Sequence, residues 1–163
     1  MTPSYASVML DDPKVLLRWW VGTVGELLPR PIAHHMTIQH KPTPDEIAAL
    51  PIGKPVQLRV IGYADSGEIQ AVVVQPHGVE SMRRIPHITV ATDGSTPPVR
   101  SNDLLAEGWI PVHGPVLTGR VGFVANGRDW FDLGALDRTA SVSVARWGLL
   151  EQMARHIAAR SLR

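Results

Sequence analysis

The sequence predicts one domain in which helices are combined with antiparallel strands. Three features lead to this expectation. Residues 13–28 carry apolar side chains at helical spacing, residues 56–75 have the pattern of two strands joined by a turn, and 163 residues are enough to bury one core. We therefore treat residues 1–163 as a single unit.

Each element has its own local signal. Asp12 and Pro13 are a helix cap and a first-turn proline, so a helix is expected from there to about Leu28. The strands at 56–63 and 68–75 flank a turn at 64–67 and form the clearest hairpin. The other predicted elements are strands at 5–10, 32–40, 85–91, 109–112, 116–124 and 130–133, and helices at 45–50, 103–107 and 144–160.

Composition and charge exclude several functional classes. The net charge is only +1, so contact with a nucleic acid should be local. No apolar run is long enough for a membrane helix, and the first residues do not resemble a secretory signal, so we expect a cytoplasmic protein without a membrane partner. The absence of cysteine excludes thiolate chemistry, which leaves histidine for proton transfer near neutral pH.

Two similar tripeptides are the main chemical signal. His-Met-Thr occupies residues 35–37 and His-Ile-Thr occupies residues 87–89, each on a predicted strand. Residues i and i+2 of a strand point to one side, so each motif should present an imidazole beside a hydroxyl. The apolar residues between and after them should bury the opposite face.

This residue set suits the cleavage of a phosphate ester. One histidine can remove a proton from a nucleophile while the other gives a proton to the departing oxygen. The hydroxyls of Thr37 and Thr89 can donate to the non-bridging phosphate oxygens as negative charge develops. We expect neither a cofactor nor a metal in this scheme.

The two His-x-Thr motifs resemble the signature of the 2H phosphoesterase superfamily. The segments 34–41, 86–90 and 101–105 are similar to the cyclic phosphodiesterase domain of plant-type and fungal tRNA ligases, and the likeness covers about half of the chain, residues 34–108. Kinase and ligase modules are absent from these 163 residues. A stand-alone phosphodiesterase, or one part of a separately encoded RNA repair system, is therefore expected.

The resemblance implies a fold, an activity and residue roles. The implied fold is a bilobal α+β arrangement, with two antiparallel sheets flanking a central cleft and helices outside. The implied reaction is hydrolysis of a 2′,3′-cyclic phosphate at an RNA end or on a nucleotide. His35 and His87 would be the acid and base, and Thr37 and Thr89 the phosphate donors. Which histidine is the base, which phosphate isomer is produced and the oligomeric state are left open.

Three further residues are candidates for substrate binding. Lys41 follows the first motif, where an ammonium could meet phosphate, although an exposed lysine at a strand end is equally expected. Arg84 precedes the second motif, in a basic stretch that could contact an RNA backbone. Tyr63 could stack on a base, although packing in the core or across strands is the more common role.

Two other functions are compatible with the same residues. The protein could be a catalytically inactive module that binds RNA ends. Alternatively, the histidine cluster could ligate a divalent metal and support a metal-dependent phosphoesterase. This cluster consists of His34, His35, His40 and His87.

Overall fold

The computed structural model describes residues 2–136, in which nine strands and three α-helices are found. The helix predicted at 144–160 lies outside these residues. The strands are Tyr5–Leu10 (β1), Arg30–Pro31 (β2), His35–His40 (β3), Pro55–Asp65 (β4), Ile69–His77 (β5), His87–Thr92 (β6), Ile110–Pro111 (β7), Val116–Ala125 (β8) and Arg128–Trp130 (β9). The helices are Pro13–Thr23 (α1), Pro44–Ala48 (α2) and Ser101–Ala106 (α3), and a 3-10 turn covers Pro98–Arg100.

Six of the strands close into an antiparallel barrel. They follow the order β4, β5, β6, β3, β1, β8, and β8 pairs back with β4 along residues 55–59. The long strand β4 makes this closure possible because it has partners on both edges, β5 on one and β8 followed by β7 on the other. A bulge between Val60 and Gly62 bends β4 between these partners.

The expected bilobal α+β fold is wrong. The strands belong to one sheet that closes on itself, and helices are few, so no pair of separate sheets flanks a cleft within residues 2–136. The two motif strands, which the bilobal arrangement assigned to different lobes, are direct neighbours in the barrel wall. The reason is that β3 and β6 pair with each other instead of each completing its own sheet.

The interior of the barrel is filled by alternate residues of its strands, as the period of two requires. Met36 and Ile38 on β3 and Ile88 and Val90 on β6 are all fully or almost fully buried. Helix α1 adds Leu16 and Trp20 to the same apolar cluster. The remaining members come from β6, from the four other barrel strands and from the residues before β3: Ala6, Val8, Ala33, Val56, Leu58, Val60, Val72, Val74, Ala91, Leu117 and Val121.

Local signals account for most element boundaries. The predicted hairpin is confirmed as β4 and β5, and the Asn126-Gly127 turn joins β8 to β9. Helix α1 is shorter than expected, because the amides of Val24 and Gly25 both donate to the Trp20 carbonyl and Gly25 then leaves the helical region at φ 150°. Within residues 2–136, no helix has both the length and the apolar character needed to cross a membrane.

Candidate active site

The polar residues of the two motifs lie on the outer face of the barrel wall. His35 and Thr37 alternate with buried Met36, and His87 and Thr89 alternate with buried Ile88, so all four polar side chains are half-buried and point away from the core. The apolar residue of each motif thus fixes the strand while the polar pair faces a cavity. This is the alternation that the sequence predicted.

The pairing of the two strands sets the relative positions of these side chains. Met36 is the antiparallel partner of Ile88. Before this pair the register differs, because the amides of Ile32 and Ala33 donate to the carbonyls of Val90 and Thr89. His34 and His35 are therefore two extra residues on the first strand, between Ala33 and Met36.

All four motif side chains line a single cavity of about 290 Å³. Its volume is close to the lower limit for small-molecule sites, so it suits a small group such as a cyclic phosphate with its sugar. The other residues of its wall are Tyr5, Ile32, His40, Arg83, Pro98, Val99 and Asn102.

His35 is held from two sides. The Tyr5 ring stacks on its imidazole, with centroids 4.8 Å apart and planes 23° apart. Its Nδ1 lies 3.0 Å from Nδ1 of His34, whose Nε2 lies 3.2 Å from the Asp129 carboxylate. Because Nδ1 is engaged, Nε2 is the atom of His35 that remains to exchange a proton with a substrate.

Burial and neighbouring imidazoles lower the pKa of His35 to about 4. Desolvation is the largest cause, His34 adds to it, and His87 contributes least, whereas Asp129 acts in the opposite direction. His35 is therefore neutral at pH 7 in the unliganded protein, which is the protonation state of a general base.

His87 has a different environment. Its Nδ1 lies 2.8 Å from the Ile85 carbonyl, and since a carbonyl only accepts, Nδ1 carries the hydrogen and Nε2 is left for chemistry. Burial lowers the pKa of His87, the hydrogen bond to Ile85 opposes this, and the nearby Arg83 adds to the lowering.

The hydroxyl of Thr89 is oriented by a buried neighbour. Thr89 Oγ1 lies 2.7 Å from Oγ of Ser101, at the start of α3, and 3.4 Å from the carbonyl oxygen of Pro98. If Ser101 donates to Thr89, the hydrogen of Thr89 has only the long contact to Pro98 and is free to turn towards a bound phosphate. The Thr37 hydroxyl has no hydrogen-bond partner within residues 2–136, while its backbone carbonyl accepts from Ser81.

The three predicted substrate-binding residues lie outside this cavity. Lys41 is exposed immediately after β3, with a left-handed backbone at φ 47°. Tyr63 packs edge-on against Trp20, with centroids 5.8 Å apart, and belongs to the margin of the core. Arg84 is exposed and lines neighbouring surface depressions, whereas Arg83 lines the cavity itself.

Several site residues were not selected from the sequence. Tyr5 carries no motif, and Ser101 and Asn102 lie in the similar segment 101–105 without having been assigned a role. The pairing of β1 with β3 and the contact of Ser101 with Thr89 bring these residues to the site. In a regular strand, alternation would point His34 away from His35. That argument does not apply, because β3 begins at His35 and Ala33 before it has a left-handed backbone at φ 43°.

A metal site needs at least three ligating side chains close together. Within residues 2–136, no three His, Asp or Glu side chains come together in a group that could hold a metal ion. Comparison of the chain with family models, with curated proteins and with solved structures found no match.

Proposed function

We propose that this protein is a metal-independent cyclic phosphodiesterase of the 2H type, which hydrolyses a 2′,3′-cyclic phosphate at an RNA end or on a nucleotide. The observation that supports the proposal is the convergence of both motifs on one cavity. His35, Thr37, His87 and Thr89 come from strands separated by about 50 residues, yet all four line the same wall. Such convergence is what acid–base cleavage of a phosphodiester requires.

In the proposed reaction, the phosphate lies between the two imidazoles. One Nε2 removes a proton from water, the water oxygen attacks phosphorus, and the other Nε2–H protonates the sugar oxygen that leaves. The hydroxyls of Thr37 and Thr89 donate to the non-bridging oxygens, whose negative charge grows in the transition state. The positive charge of Arg83 at the cavity wall favours binding of the anionic substrate.

The rest of the cavity suits the sugar part of such a substrate. Ile32, Pro98 and Val99 contribute apolar surface to the cavity, and Val99 is 62% exposed although it lines the cavity. A ribose ring can pack on this surface while the base or the RNA chain extends into solvent. The reacting end is then recognised more closely than the sequence of the RNA.

The test is turnover of a 2′,3′-cyclic nucleotide in the presence of a chelator. We expect His35→Ala and His87→Ala each to lower kcat/KM by about 10²–10⁴-fold, the usual contribution of a general acid or base. His77→Ala is the matched control, because His77 is an exposed histidine at the end of β5. The control variant should retain wild-type activity.

The same experiment separates the alternative functions. Full activity in both active-site variants would overturn the assignment of the two histidines. Binding of the nucleotide without any product between pH 5 and pH 9 would identify an inactive RNA-end binding module instead. Turnover that is lost on chelation and recovers with a stoichiometric divalent metal would identify a metal-dependent enzyme.

A further inference from the structure

A chain of polar contacts extends from His35 away from the cavity. His35 Nδ1 and His34 Nδ1 are 3.0 Å apart, and His34 Nε2 and the Asp129 carboxylate are 3.2 Å apart. Asp129 lies on β9, which is joined to the barrel through β8 and the turn that follows it. The active-site imidazole is therefore connected to a carboxylate that is 94 positions away in the sequence.

The positions of the hydrogens in these two contacts follow from which groups can donate a hydrogen bond and which can only accept one. A carboxylate only accepts, so Nε2 of His34 carries the hydrogen that is directed at Asp129. In neutral His34, Nδ1 is then an acceptor, and the hydrogen between the two rings belongs to Nδ1 of His35. Neutral His35 thus presents the lone pair of Nε2 to a substrate.

We propose that Asp129 and His34 are positioning residues that hold His35 in the tautomer of a general base, with His87 as the general acid. This inference rests on the proposed function. Before the step, His87 takes a proton from solvent on Nε2, because its Nδ1 hydrogen is directed at Ile85. Nε2 of His35 then takes a proton of the attacking water, and the water oxygen forms a bond to phosphorus. The bond between phosphorus and the leaving sugar oxygen breaks, and Nε2–H of His87 protonates that oxygen. The two histidines return to their starting states by exchanging protons with solvent.

The charges around the two rings support this division of roles. His35 becomes positive during the step, and the negative charge of Asp129 lies on its side of the cavity. His87 must give up a proton, and the positive charge of Arg83 beside it favours that loss. Within residues 2–136, Tyr5, His34 and His87 also contact His35 or act on its pKa, and His40 and Arg83 line the same cavity.

The first test measures kcat/KM against pH for Asp129→Asn. His34 and Asp129 are 43% and 36% exposed, so solvent screens their interaction and the expected loss is about threefold to tenfold. Asp129 raises the pKa of His35, so its removal should also move the acidic limb of the profile to lower pH. Asp129→Glu keeps the charge and should recover part of the rate and of the shift.

Two other variants test whether the pH shift comes from the environment of His35 and not from the loss of any carboxylate. His34→Gln removes a group that lowers the pKa of His35, so the acidic limb should move to higher pH, opposite to the shift in Asp129→Asn. Glu68→Gln is the matched loss of a carboxylate, at an exposed position in the turn between β4 and β5. This control should change neither the rate nor the pH profile.

An NMR titration of the His35 imidazole keeps this inference separate from the proposed function. Absence of turnover in the wild-type protein would refute the phosphodiesterase, whereas a lower His35 pKa in Asp129→Asn would still establish the coupling. Conversely, an active enzyme in which Asp129→Asn leaves both the pH profile and the His35 titration identical to those of Glu68→Gln would overturn the positioning role.

Discussion

The two motifs have nearly the same sequence and different surroundings. On β3, His35 lies under the Tyr5 ring and contacts His34, which contacts Asp129. On β6, His87 donates to its own chain at Ile85, and Thr89 contacts a buried serine. Local sequence thus produces two equal pairs of imidazole and hydroxyl, and the neighbours of each pair make them chemically unequal.

Unequal surroundings allow a repeated motif to serve an asymmetric reaction. Hydrolysis requires one group that takes a proton and one that gives a proton, so two identical environments would be a poor arrangement. In the mechanism that we propose, a carboxylate on the side of the first motif and a guanidinium on the side of the second separate the two roles. Substitutions on the two sides of the cavity should therefore have different effects.

The hydroxyls of Thr37 and Thr89 can be compared by replacing each threonine with valine. We expect Thr37→Val and Thr89→Val each to lower kcat by about 10²–10³-fold, the loss typical of one transition-state donor. Only Thr89→Val should also destabilise the fold, by about 1–3 kcal/mol, because it leaves the buried Ser101 hydroxyl without its partner. Steady-state kinetics and chemical denaturation measure the two effects.

The double variant Thr89→Val with Ser101→Ala is the control for that pair. It removes both hydroxyls, so stability should return towards the wild-type value while the activity stays low. An undiminished kcat in Thr37→Val would show that the first motif does not donate to the phosphate.

The stability of the protein should depend on pH through His35. A folded-state pKa of about 4 against 6.5 when unfolded means that the unfolded chain binds the proton more tightly. The free energy of unfolding should therefore fall as the pH decreases from 6.5 to 4. At 1.36 kcal/mol per pKa unit, the loss is on the order of 3 kcal/mol.

Denaturation of His35→Gln and His87→Gln over this pH range tests the difference between the two rings. The pH dependence should flatten most in His35→Gln, because only that histidine has a pKa lowered as far as about 4. Equal slopes in His35→Gln and the exposed control His77→Gln would contradict the buried, neutral state of His35.

The smallest expected effects are those of replacing the adjacent residues Arg83 and Arg84. Arg83 lines the cavity and Arg84 does not. With a cyclic mononucleotide at low salt, Arg83→Gln should raise KM by up to about tenfold, while Arg84→Gln should leave KM within about twofold. A larger effect of Arg84→Gln would mean that the substrate extends onto the neighbouring surface, as the sequence had suggested for this residue.

Much of the local structure was predictable from the residues. The β4–β5 hairpin, the Asn126-Gly127 turn and the alternation of polar and apolar residues in both motifs follow from turn chemistry and the period of a strand. Pairing between distant strands was not predictable. The bilobal expectation failed because β4 pairs on both edges and closes the barrel, and no local signal specifies a second partner.

By itself, the sequence determined which chemistry is available: two imidazole–hydroxyl pairs, no thiol, and apolar residues that bury the opposite face of each strand. Only the tertiary structure places the two pairs next to each other, on the paired strands β3 and β6. It also brings Tyr5 and Asp129 to the side of the first motif and Ser101 to the second motif. Tyr63 packs against Trp20 for the same reason. The physical reason is the distance along the sequence over which each effect acts. Side-chain period and turn preferences act over a few residues, whereas these contacts join segments that only packing of the whole barrel brings together.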